Sequence, residues 1–159
     1  FHWLSAAVLI IQIPLGMYLV DMDFSEKRLT IENIHVAVGI SIFYLTILRL
    51  IYKAFNPTPK LNNSIFPGQK IIAKLNHVFL YISILMITIS GALKKLYNGE
   101  ELNMFFFNLE IQDNFELAEI FYEIHILGNY TLIALISLHI FAVLIHKILF
   151  KENLLKRIL

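Results

Sequence analysis

The 159-residue chain contains no cysteine. That absence excludes disulfides, thiolate metal sites, iron–sulfur clusters and haem held covalently through a Cys-Cys-His motif. Charge is scarce too. Asp, Glu, Lys and Arg make up 16% of the chain, against about a quarter in a typical soluble domain. No repeat or low-complexity tract is present. Asp and Glu are missing altogether from the long apolar runs, which weakens any reading built on carboxylate chemistry there.

What remains is apolar. Hydrophobic residues make up 58% of the chain and mean hydropathy is +0.70. The excess is gathered into runs at 2–20, 34–53, 72–93 and 124–150. Each approaches or exceeds the roughly 20 residues that cross about 30 Å of hydrocarbon. The runs are apolar all round rather than along one stripe, which favours membrane spans over the buried helices of a soluble bundle. The expected fold class is therefore all-α: an integral membrane four-helix bundle, forming a single domain over residues 1–159. The chain begins without Met, inside an apolar run at Phe1. It reads as the ordered part of a longer protein with a short tail before it. No small-residue cleavage site follows the first run, so that run is not read as a signal peptide.

The charges suggest an orientation. All twelve acids except Glu152 lie in the segments 21–32 and 100–123. The segment 53–74 holds Lys53, Lys60, Lys70 and Lys74 without an acid, and the tail sets Lys147, Lys151, Lys156 and Arg157 against Glu152. Basic segments stay in the cytoplasm. Both termini and the loop 56–74 are thus expected on the cytoplasmic side of the membrane, with the other two loops outside. The Asn56-Pro57-Thr58-Pro59 stretch ends the second helix, since proline cannot continue it. Pro14 is expected to kink the first. In the third loop, Phe105–Phe107 and the amphipathic run 114–122 predict a short helix lying at the outer interface.

Histidine carries the chemistry. Of the six, His125 and His139 lie 14 residues apart on one span, which places them 40° from the same helix face and about 21 Å apart along the axis. His35 begins the second span at the depth of His125, and His2 begins the first at the depth of His139. Two pairs result, stacked across the membrane. Haem iron held by two imidazoles needs this pattern, with room between facing helices for a flat macrocycle. Zinc is a poorer fit, because two histidines without a carboxylate or thiolate make an incomplete site. A proton relay suffers from the same lack of acids.

Other residues fall into place around the pairs. Arg49, four turns below His35, is expected to meet the propionates of the inner haem; snorkelling to phospholipid is the alternative. Gly39 and Gly128, one turn below His35 and His125, are expected to make room for the outer haem, with ordinary helix packing as the alternative. Gly91 also lies in a span. His77 is left over; it either replaces His2 as a ligand or, the preferred reading, bonds a quinone carbonyl beside the inner haem. His146 is expected at the cytoplasmic surface or on the propionate side.

Several stretches together carry a family likeness: His2-Trp3, Ile34-His35-Val36 with Gly39-Ile40-Ser41, Arg49 with the Asn-Pro-Thr-Pro turn after it, and Leu75-Asn76-His77. Leu127-Gly128-Asn129-Tyr130 between His125 and His139, and Phe150-Lys151-Glu152-Asn153, complete it. Over nearly its whole length the chain resembles the bacterial cytochrome b561 family, within the superfamily that includes the cytochrome b subunits of nickel hydrogenases and formate dehydrogenases. The resemblance implies two haem b groups, the outer on His35 and His125 and the inner on His2 and His139. It also implies electrons taken from superoxide outside and given to ubiquinone near the inner side. Arg28 would then lie near the path of superoxide, and His77 near the quinone.

Lys27, Arg28, Lys94 and Lys95 form a patch able to steer that anion. Set against it, the outer loops hold four acids against two bases and then seven against two, an excess of seven negative charges. Electron transfer of this kind needs no nucleophile or general base, and none is clustered here. The competing reading is an electron-transfer subunit fed by a protein partner, a dehydrogenase or a periplasmic cytochrome, with Phe105–Phe107 and the acidic third loop as docking features. A haem-free structural or transport protein is disfavoured by the paired histidines, and nucleic acid is not an expected partner.

Overall fold

The computed structural model describes residues 2–56, 68–149 and 151. The elements run α1 (His2–Val20), α2 (Glu26–Phe55), α3 (Gln69–Tyr97), β1 (Leu102–Asn103), β2 (Asn108–Leu109) and α4 (Phe115–Leu149). All four helices are long and apolar enough to cross a membrane, and the chain is a four-helix transmembrane bundle. Residues 57–59 of the proline turn, Lys60, Phe150 and the tail residues Glu152, Asn153, Lys156 and Arg157 lie outside the described residues.

Each helix starts and stops for a local reason. Pro14 sits inside α1, which runs on past it to Val20. Ser25 caps α2, its Oγ accepting from the Arg28 amide at 3.2 Å. The α2 helix ends where Asn56 turns extended, at φ −120° and ψ 119°, as a residue before proline must. Gly99, at φ 77°, closes α3 and donates to the Leu96 carbonyl at 2.9 Å. This is the left-handed stop that glycine makes without a Cβ penalty.

The third connection differs from the expectation of a separate interfacial helix. Residues 100–113 form a small hairpin instead, and Asn114 caps α4 directly, its Oδ1 accepting from the Leu117 amide at 3.1 Å. The amphipathic run 115–122 is the opening of α4. No glycine or proline separates it from the apolar run that follows, so nothing breaks the helix. The same continuity makes α2 and α4 longer than a span requires, at 30 and 35 residues against the 20 or so needed. Their polar first turns join the end of α3 in a charged collar beyond the outer histidines.

Inside the bundle the packing depends on small and polar residues, as is usual where lipid removes the hydrophobic drive between helices. Ser83 and Ser90 are buried on α3, and Ser90 Oγ donates to the Ile87 carbonyl at 3.1 Å. Gly128 is buried on α4, where a Cβ would stand 2.8 Å from Ile87 Cγ1 and 3.0 Å from Met86 Cε. A small apolar core of Ile40, Leu96 and Leu102 ties α2, α3 and the hairpin together at the outer end.

Gly128→Leu is expected to force α3 and α4 apart at a cost of about 1–3 kcal/mol, the range for overpacking a filled site. The thermal inactivation midpoint in detergent should fall. An unchanged midpoint would mean that the two helices do not rely on this contact.

Candidate haem-binding sites

A cavity of about 380 Å³ opens in the outer half of the bundle, within the range of small-molecule and cofactor sites. His35 of α2 and His125 of α4 face each other across it, with ring centroids 6.2 Å apart. Each ring rests on a glycine of a neighbouring helix. A Cβ at Gly16 of α1 would stand 2.8 Å from His35 Cε1, and one at Gly91 of α3 would stand 2.9 Å from His125 Cε1 and Nδ1. Any larger residue at either position would collide with the imidazole.

Hydrogen bonding orients one of the two rings. His125 Nδ1 donates to the Ile87 carbonyl at 2.8 Å, which fixes the proton on Nδ1 and leaves Nε2 with its lone pair free. Gln12 of α1 donates from Nε2 to the backbone carbonyl of His35 at 2.8 Å. His35 Nδ1 and Gln12 Oε1 are both buried without a hydrogen-bond partner among the described residues.

At the inner end three histidines meet. His2 of α1 and His139 of α4 have centroids 6.3 Å apart, and His77 of α3 lies 5.2 Å from His139. Arg49 Nη2 donates to His2 Nδ1 at 3.1 Å and its guanidinium lies 5.4 Å from the centre of the Tyr81 ring. Because arginine can only donate, the free His2 imidazole carries its proton on Nε2. Ligation through that atom would expel the proton or turn Arg49 toward another acceptor.

These separations have chemical meaning. With metal–nitrogen bonds of about 2.0 Å and ring centres roughly 1 Å beyond the nitrogen, two imidazoles trans on one metal have centroids about 6 Å apart. The spacings of 6.2 Å and 6.3 Å fit that arrangement. The 5.2 Å between His77 and His139 is too short for it. The residues present would suit a flat group held between paired imidazoles: His35 and His125 would hold it at the outer end, with Nε2 of His125 carrying the lone pair, and His2 and His139 could do the same at the inner end.

The remaining sequence candidates are distributed unevenly. Arg28, Lys94 and Lys95 line the outer mouth of the cavity; Lys27 is exposed and does not. All three mouth cations are engaged. Arg28 Nη1 donates to the carbonyls of Leu19 and Met22, Lys94 pairs with Glu32 at 3.1 Å, and Lys95 pairs with Glu100 at 2.5 Å. Gly39 lines the cavity, with Gln12 Nε2 3.8 Å from where its Cβ would be. Gly128 is not in the lining and packs against α3. His146, expected at the cytoplasmic surface or on the propionate side, is buried and bonds Gln69 at the inner end of α3, which excludes the surface position. Sequence reasoning overlooked Gln12 and Gly16 and gave Gly91 no particular partner. Gln12 carried a signal, as the one amide in an otherwise apolar first span; the two glycines had none that distinguished cofactor contact from packing.

Comparison with known proteins identifies the family. Cytochrome b561 homolog 2 of Escherichia coli (strain K12) is 26% identical over 163 aligned residues, which cover all of this chain and 87% of the relative. The family described as prokaryotic cytochrome b561 matches residues 1–159. That family binds b haem and transfers electrons across the inner membrane. With the match extending from the first residue to the last, the chain belongs to the prokaryotic cytochrome b561 family.

Proposed function

We propose that residues 1–159 form a single dihaem domain that takes electrons from superoxide on the outer side and delivers them to ubiquinone near the inner side. The observation that carries this reading is the pair of imidazole couples, 6.2 Å and 6.3 Å apart, stacked on α4 with about 21 Å of helix rise between them. His35 and His125 would hold the outer haem, His2 and His139 the inner. Bound haem supplies one-electron redox chemistry. Gly16 and Gly91 allow the outer imidazoles their close approach, and the Ile87 carbonyl holds His125 in the tautomer that leaves Nε2 available. Arg49 lies where it would neutralise an inner propionate.

The balance is simple: two superoxide anions and two protons convert one quinone to quinol and release two dioxygen molecules. The charge distribution supports a cytoplasmic position for both termini and the loop 56–74 by the positive-inside rule, so the quinol protons would come from that side. His77, exposed on α3 beside His139, is positioned to bond a quinone carbonyl. Arg28, Lys94 and Lys95 at the cavity mouth would steer the anion inward.

One observation favours a second reading. The outer loops carry seven more acids than bases, which suits a basic redox protein as electron donor better than a small anion. Stopped-flow absorption of the oxidised protein mixed with superoxide separates the two. Rapid growth of the reduced haem band, discharged by quinone, supports superoxide; a band that stays oxidised points to a protein donor.

Four substitutions test the assignments. His35→Ala or His125→Ala should halve the haem content measured as pyridine haemochrome, and retention of both haems would sink the outer pair. His77→Ala should keep both haems and slow quinone reduction about tenfold, the worth of one hydrogen bond of about 1.4 kcal/mol; loss of a haem would make it a ligand. Lys94→Glu should lower the bimolecular rate with superoxide several-fold at low salt, with the deficit shrinking as ionic strength rises. A deficit independent of salt would remove Lys94 from any steering role.

A further inference from the structure

The hairpin of the third connection is oddly placed for an extramembrane loop. Its tip touches Tyr44 of α2: Tyr44 Oη donates to the Met104 carbonyl at 3.1 Å, and the Tyr44 ring lies 6.4 Å from Phe105 and 6.0 Å from Phe106. Tyr44 is 12 residues further along α2 than Glu32, whose ion pair with Lys94 marks the charged collar. That is about 18 Å of helix rise. A helical side chain leans toward the helix N-terminus, here the collar, so the contact lies roughly 10–15 Å below the ion pair. The hydrocarbon of one leaflet is about 15 Å deep.

From these distances we propose that the third connection is re-entrant: residues 102–109 dip into the outer leaflet, and their aromatic tip rests in lipid hydrocarbon. The sequence is divided accordingly. Residues 102–109 contain no charge, and Glu100 and Glu101 stand on one side with Glu110 on the other. Phe105, Phe106 and Phe107 are 54%, 83% and 53% exposed, a cluster that water would penalise and acyl chains would accept.

Irregular backbone survives at membrane depth only where its polar groups are satisfied by protein. Several polar groups of the tip are satisfied in this way. Met104 N donates to the Phe107 carbonyl at 2.9 Å, the Met104 carbonyl takes the Tyr44 hydroxyl, and Phe105 N donates to Asn103 Oδ1 at 2.8 Å. The strands pair with each other, Leu102 opposite Leu109 and Asn103 opposite Asn108. Phe105 also holds φ at 68°, at the first loop position of a two-residue hairpin, where glycine is favoured. A large aromatic residue kept in that conformation indicates that its ring is needed where it lies. At the base, Leu102 is 1% exposed and lines the outer cavity, so the hairpin also walls that cavity off from lipid.

The absence of cysteine makes the test free of background. Phe106→Cys and Glu110→Cys carry a nitroxide label in proteoliposomes, and collision with dioxygen is compared with collision with a water-soluble nickel chelate present on both sides. The label at 106 should favour dioxygen and the label at 110 the chelate, with at least a tenfold difference between the two ratios. Equal chelate access at the two positions would overturn the proposal, and would restore the hairpin as a docking feature for a soluble partner. Phe107→Cys gives the same reading should the variant at 106 fail to assemble.

Discussion

Water is absent from the hydrocarbon core, so every polar group placed there must find its partner within the protein. Much of this bundle follows from that constraint. His125 is oriented by a backbone carbonyl of α3, Gln12 reaches across to a backbone carbonyl of α2, and Thr46 and Ser83 are buried between helices rather than turned to lipid. The few groups left unsatisfied are correspondingly informative. His35 Nδ1 and Gln12 Oε1 are buried beside the same cavity without a partner among the described residues, which is costly in an apolar setting and marks a place arranged around something other than helix packing.

The sequence made the spans legible because a bilayer imposes a length and a polarity that no other environment does. It made the histidine pairs legible because helix rise and rotation convert 14 residues into depth and direction. The same arithmetic does not reveal which neighbours a side chain meets. Gly39, Gly91 and Gly128 look alike in the chain, yet one lines the cavity near Gln12, one supports His125 and one is wedged against Ile87 and Met86. Gly16 supports His35 from a helix that only the assembled bundle brings near. Apolar side chains facing lipid and apolar side chains facing a cofactor carry no difference in hydropathy, so only assembly separates them.

The outer end illustrates a second limit. The amphipathic run before His125 has the composition of an interfacial helix, and it became part of α4 because Asn114 supplied a cap and nothing later supplied a break. A helix of marginal independent stability gains when it continues an existing one, since the costly first turn is already formed. Beside it, the outer ends of α2 and α3 form a collar of helical charge, with Glu32, Lys94, Lys95 and Arg28 held by ion pairs and carbonyls.

Continuity of α4 has a further consequence. His125 and His139 belong to one uninterrupted rod, while their opposite numbers, His35 and His2, sit on two separate helices joined by a short turn. The vertical interval between the two sites is therefore set by α4 alone, as a fixed number of peptide units. Loops elsewhere can lengthen or shorten without altering it. One residue added between 125 and 139 would swing one imidazole about 100° from its counterpart while the other stayed in place. Over evolutionary time, the interior of this helix is closed to insertion and deletion in a way that the connections between helices are not.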